Sequence, residues 1–116
     1  MPDSLQNFKA EFFKALSHPI RIKIIEALRS GQKNVSELQT ILGLDQSSVS
    51  QQLSVLRAKG LIVASKTKTN VFYTVKDPLL FDLLDVARAI FNQQLIDTRD
   101  LLSQLEVDDD SDKEKK

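Results

Sequence analysis

The apolar periodicity of this chain is interrupted at Pro19, Gly31, Gly43, Gly60 and Pro78, and the short intervals between these breaks restrict it to small elements around one core. From Leu5 to Leu16, the residues Leu5, Phe8, Phe12, Ala15 and Leu16 recur at three- and four-residue steps, which is one face of a helix, and Phe13 widens the stripe. Pro19 disfavours helix at His18 but suits the first turn of a new one. A second helix is therefore predicted from about Pro19 to Ser30, with Ile20, Ile24, Ala27 and Leu28 inward and Gly31 closing it. Asn34 or Ser36 caps a third, short helix with Leu38, Ile41 and Leu42 on its buried side and Gly43 at its end. Asp45 caps a fourth helix running to Lys59, in which Val49, Leu53 and Leu56 are spaced by four and three, and Gly60 stops it.

Leu61 to Lys66 and Asn70 to Lys76 read as two strands, because Val63, Val71, Phe72, Tyr73 and Val75 favour β structure. Thr67-Lys68-Thr69 is the polar hairpin tip between them. Asp77-Pro78 opens a last helix whose apolar rhythm, through Leu83, Leu84, Ala87, Ile90, Phe91 and Leu95, continues to about residue 105. Such a helix of about 27 residues is roughly 40 Å long, wider than so small a domain, so part of its apolar face requires cover from elsewhere. Residues 107–116 are almost wholly charged and are expected to be a disordered tail on a single domain spanning 1–106.

The predicted order is α-α-α-α-β-β-α, mainly α with a small β-hairpin. Two short helices joined by Gly43-Leu44-Asp45 make a helix-turn-helix, and the hairpin after them makes it a winged one. In that fold the second helix lies in the DNA major groove with its N-terminal residues at base edges. Gln46, Ser47, Ser48, Ser50, Gln51, Gln52 and Ser54 suit this task, being small or amide polar groups without negative charge. Glutamine pairs bidentately with adenine, and serine donates or accepts at a base or phosphate. Such residues sacrifice helix propensity that Glu and Lys would supply, so a requirement other than stability is expected to select them. Arg57 reaches a phosphate or interacts with the dipole at the end of its helix, and both roles stay open. Lys66, Lys68, Thr69 and Asn70, with Thr67, place basic, hydroxyl and amide groups on the wing, where they would grip the DNA backbone or the minor groove.

The net charge is zero, yet it is unevenly spread. Residues 46–76 carry five bases and no acid, residues 77–116 carry eleven acids and five bases, and residues 1–45 are close to neutral. A basic segment beside an acidic one points to a polyanion partner. The chain has no cysteine, which excludes disulfides, thiolate metal sites and thiol redox sensing, and its single histidine, His18, excludes a histidine-rich metal site within one chain. The N-terminus lacks the basic-then-apolar pattern of a secretory signal, and no apolar run approaches the length of a membrane span, so a cytoplasmic protein is expected.

Several segments resemble the ArsR/SmtB family of repressors: Phe13-Lys14-Ala15-Leu16-Ser17-His18-Pro19-Ile20-Arg21, then Ser47-Ser48-Val49-Ser50-Gln51-Gln52-Leu53-Ser54-Val55-Leu56-Arg57 with Gly60-Leu61-Ile62, then Val71-Phe72-Tyr73 before a terminal helix. The resemblance covers roughly residues 8–95, in the right order and spacing. It implies a homodimeric winged-helix repressor that binds double-stranded DNA at a palindromic, inverted-repeat operator and lets go when an effector binds. It puts Ser48, Ser50, Gln51 and Gln52 at DNA-facing positions. It puts the first and last helices at the dimer interface, through Leu5, Phe8, Phe12, Leu83, Leu84, Ala87, Ile90, Phe91 and Leu95. The sequence departs from the family at its metal sites. The family's Cys-x-Cys positions read Asn34 and Ser36, and its Asp/His and His/Glu pairs on the last helix read Asp77 and Leu79, then Ile90 and Gln93. Metals of this softness need thiolate or imidazole, so no metal or other cofactor is expected, and His18 is read as a structural cap. The effector is left unassigned.

Two other readings are weighed against DNA binding. A winged-helix protein-interaction module without a DNA target would expose apolar side chains on the fourth helix, where this chain has Ser and Gln. An enzyme would need a nucleophile motif, a carboxylate–histidine arrangement or a phosphate-cradling glycine loop, and none is found among 116 residues with three glycines.

Overall fold

The structure is a computed structural model describing the backbone of residues 2–114 and the side chains of residues 4–106. Its elements are α1 (Pro2–Leu16), α2 (Pro19–Ala27) with a 3-10 turn (Leu28–Ser30), α3 (Val35–Leu42), α4 (Gln46–Ala58), β1 (Ile62–Thr67), β2 (Asn70–Val75) and α5 (Leu79–Glu114). The order is the one the punctuation of the sequence predicts. It forms two compact units, 1–81 and 82–116, the second beginning inside α5.

In the first unit the core is built where α2, α3 and α4 pack on one another. Ile24 and Ile25 of α2, Leu38 of α3, and Val49, Leu53 and Leu56 of α4 are almost completely buried, joined by Leu28 and Ile62. Helices of 8 to 13 residues are marginal alone, so tertiary burial carries them. Each also starts at a side chain that accepts one of its unpaired N–H groups. His18 Nδ1 accepts from the Ile20 N–H at 3.1 Å, so the only histidine is a helix cap. Asn34 Oδ1 accepts from the Glu37 N–H at 2.8 Å while Glu37 Oε1 accepts from the Asn34 N–H at 3.1 Å, a complete capping box. Gly43 then ends α3 at φ 66°, in the left-handed region where an L side chain is disfavoured.

β1 and β2 pair antiparallel from Ile62 opposite Val75 to Thr67 opposite Asn70. Lys33, just before α3, forms a bridge to Tyr73 through hydrogen bonds of 3.1 and 2.8 Å, which fastens the hairpin to the helical part. Arg29 of the 3-10 turn lies over the Phe81 ring at 5.0 Å and holds the start of α5.

The second unit is the remainder of α5. Its helix is drawn to Glu114, an existing helix lengthening without a new nucleation cost. The side chains of 107–116 and the backbone of 115–116 lie outside the described residues. Ile41, expected inward, is instead 53 % exposed, because α3 turns Leu38 into the core and leaves Ile41 three residues on at its margin. Leu56→Ala is expected to cost about 2–5 kcal/mol in denaturant unfolding, and Ile41→Ala well under half of that. Equal losses would place the core elsewhere.

Candidate nucleic-acid interface

Two unlike faces run along α4. Val49, Gln52, Leu53 and Leu56 fall at i, i+3, i+4 and i+7, and all four are buried. Gln46, Ser47, Gln51, Ser54 and Arg57 lie on the other side and are exposed, with Ser48 and Ser50 half-buried. Except for Gln52, the polar residues singled out from the sequence therefore share one accessible surface.

Gln52 stands apart from the other polar residues of α4. The sequence reading groups it with the DNA-facing residues, but it is only 9 % exposed and its Oε1 accepts a hydrogen bond from Arg21 Nε at 2.8 Å. Its place three residues after Val49 and four before Leu56 puts it on the core side of the helix. The spacing alone signals this side; the polar side chain argues against it.

The N-terminus of α4 is held by Asp45. Its carboxylate accepts from the Ser48 N–H at 3.1 Å and from the Ser48 hydroxyl at 2.6 Å. Ser48 therefore spends its one hydroxyl proton on the cap and faces outward as an acceptor only. The hydroxyl of Ser48, then its N–H, hold the Asp45 carboxyl below the ordinary value of 3.8.

Lys66, Thr67, Lys68, Thr69 and Asn70 are all exposed on the wing. Lys68 occupies the left-handed region at φ 57°, the one non-glycine residue with positive φ among those described. A two-residue hairpin turn needs positive φ at its first position, and glycine usually supplies it. Lysine here sacrifices backbone stability for a charged tip.

The nine residues assigned to a subunit contact are each accessible. On α1, Leu5 and Phe8 are exposed and Phe12 is half-buried. On α5, Leu83, Leu84 and Ala87 are half-buried, and Ile90, Phe91 and Leu95 are exposed. At the positions matching the family's metal ligands, Asn34 caps α3 and Asp77 Oδ1 accepts from the Leu79 N–H at 3.0 Å. Among the described residues no three His, Cys, Asp or Glu side chains converge as a metal site, and no helix is long and apolar enough to cross a membrane.

Residues 18–63 match the bacterial regulatory protein, arsR family. The chain is 39% identical over 104 residues to the uncharacterized HTH-type transcriptional regulator Rv0081 of Mycobacterium tuberculosis, covering 89% of this chain and 91% of that one. The chain belongs to the arsR family. The crystal structure of M. tuberculosis Rv0081 superposes with a TM-score of 0.73 at 41% identity, over 80% of this chain and 94% of that one. The biofilm growth-associated repressor of Xylella fastidiosa is 33% identical over 88 residues, 76% of this chain and 77% of the repressor. The homodimeric winged helix-turn-helix DNA-binding domain of Mb0332 from Mycobacterium bovis shares the fold, with a TM-score of 0.72 at 23% identity over 81% of this chain and 87% of that one. This arsR-family protein is a transcription regulator with a winged helix-turn-helix DNA-binding fold, and its family is not an enzyme class.

Asp45 gives a pH test of the α4 cap. A carboxyl with a lowered folded pKa contributes stability above its unfolded pKa and loses it as pH falls through the folded value. The melting-temperature advantage of wild type over Asp45→Ala is expected to be constant near neutral pH and to shrink below pH 3.8. An advantage independent of pH would mean that the ionised carboxylate adds nothing to a neutral cap.

Proposed function

We propose that this arsR-family regulator is a homodimeric repressor that binds an inverted-repeat operator, with α4 in the major groove and the wing against the DNA backbone. The observation that carries the reading is the exposed face of α4, which holds Gln46, Ser47, Gln51 and Ser54 and no carboxylate. Uncharged donors and acceptors of this kind match base edges, and glutamine can pair with adenine N6 and N7 together. Ser48 and Ser50 stand beside them as acceptor and hydroxyl groups. Arg57, Lys66, Lys68, Thr69 and Asn70 supply the phosphate contacts, which fix register and give affinity without reading sequence.

Support for a dimer comes from α1 and α5, each considered by itself. Phe8 is 73% exposed on α1, and Ile90, Phe91 and Leu95 are more than half exposed on α5. An apolar stripe of that size on a helix marks a surface made to be covered. The Mb0332 domain, of the same fold, is homodimeric. A two-fold dimer presents two recognition helices about one DNA turn, roughly 34 Å, apart, and so calls for a palindromic site.

Selection of bound sequences from a random DNA pool is expected to return an inverted repeat with half-sites one helical turn apart. A recovered site without two-fold symmetry would overturn the dimeric arrangement. On the selected site, Gln51→Ala is expected to lose about 1–3 kcal/mol of binding and almost none on random duplex. Parallel loss on both would remove Gln51 from base reading. Lys68→Gly is expected to act in opposite directions on the two properties of the wing. Relief of the left-handed backbone should raise stability by up to about 1 kcal/mol, read by thermal melting. Binding to every sequence should weaken alike, and the slope of log affinity against log salt should fall by about one. An unchanged slope would place the wing tip away from phosphate.

A further inference from the structure

One amide of the recognition helix points away from solvent. Gln52 accepts from Arg21 Nε at 2.8 Å, and Arg21 Nη1 donates to the Ala15 carbonyl at 3.2 Å. Arg21 stands in the first turn of α2, and Ala15 in the last turn of α1, where carbonyls have no partner within their helix. One guanidinium therefore ties the end of α1, the start of α2 and the middle of α4. Its donors lie in a rigid plane, so satisfying both acceptors fixes the direction of each.

The other buried side chains of α4 are Val49, Leu53 and Leu56. Apolar burial of this kind is strong but non-directional, and it discriminates poorly among small rolls of a helix about its axis. A hydrogen bond confined to a window of about 0.5 Å discriminates well. Base contacts fall in the same narrow window, whereas attraction between lysines and phosphates acts over about 8–10 Å. A small roll of α4 would thus break base reading and spare general attraction to DNA.

We infer that Arg21 is a positioning residue for sequence recognition: acting through Gln52, it sets the roll of α4, and neither side chain touches a base. The inference rests on the reading of α4 as the base-reading helix. Its signature is lost preference between sequences with general affinity retained.

The test uses the full chain and measures the ratio of affinity for the selected site to affinity for random duplex, in which any uniform change of charge cancels. Gln52→Met keeps the length of the side chain and removes the acceptor, whereas Gln52→Glu keeps an acceptor for Arg21. Gln52→Met is expected to lower the ratio about tenfold, comparable to losing one base contact, and Gln52→Glu to stay within about twofold of wild type with the same preferred bases. Arg21→Met should match Gln52→Met, and the double variant should be no worse than either, the mark of two residues acting as one unit. An unchanged ratio in Gln52→Met overturns the inference, and so does an altered base preference in Gln52→Glu, which would make Gln52 a reader. If Gln52→Met or Arg21→Met melts below the assay temperature, Arg21→Lys takes its place: a point charge in place of the planar fork should lower the ratio, and an unchanged ratio would again overturn the inference. Absence of any sequence preference in wild type would instead overturn the base-reading role of α4. The hydrogen bond itself would then still be decided by NMR, as a protected Arg21 Nε–H signal in wild type that is lost in Gln52→Met.

Discussion

The buried stripe of α4 is the contact on which the other features rest. Val49, Leu53 and Leu56 are buried where α4 packs on α2 and α3, and each such side chain contributes about 1.5–3 kcal/mol when removed from water. That burial has to compensate for the outer face of the same helix. Serine and glutamine are poorer helix formers than the Glu, Lys and Ala that an ordinary surface helix carries. A helix with such an outer face relies on a well-packed inward side and on the cap that Asp45 places on its first turn.

Much of this was legible because the signals are local. Pro19, Gly43 and Gly60 punctuate the chain where the helices begin or end, and Asp45 and Asn34 cap the helices that their spacing announced. β-Branched and aromatic residues locate the hairpin to within a residue or two. What was not legible depends on contacts distant in sequence. Nothing near Gln52 reveals that its partner is Arg21, 31 positions earlier. The bridge between Lys33 and Tyr73 is equally invisible, because it is made by backbone atoms and leaves no trace in side-chain type. The exposure of Ile41 escapes the sequence for a simpler reason: a helix of eight residues has too few turns for periodicity alone to settle which apolar residue faces inward.

Charge divides the labour of the fold between elements. Residues 46–76 have five basic side chains and no acid, yet the exposed middle of α4 is uncharged: Arg57 and Lys59 lie at its C-terminal end, Lys66 and Lys68 on the wing, and Lys76 after β2. In the proposed complex this separates a salt-dependent grip from a salt-insensitive reading of bases. The separation has a physical merit. A lysine among the base-reading residues would strengthen binding to any duplex and so narrow the margin between the operator and the rest of the genome.

Lys68 and Gln52 illustrate the two ways in which this fold departs from what stability alone would choose. Lys68 accepts a left-handed backbone on the surface, where the strain is local and a charged tip is gained. Gln52 brings an amide into a position that an apolar residue would fill with more burial and no desolvation cost. A buried polar group is tolerable only when it is satisfied, and Arg21 satisfies it while also closing the carbonyl of Ala15. What the amide adds over leucine is direction. In the proposed complex α4 aligns several short contacts at once, and there fixing its roll is worth more than a further increment of non-directional burial.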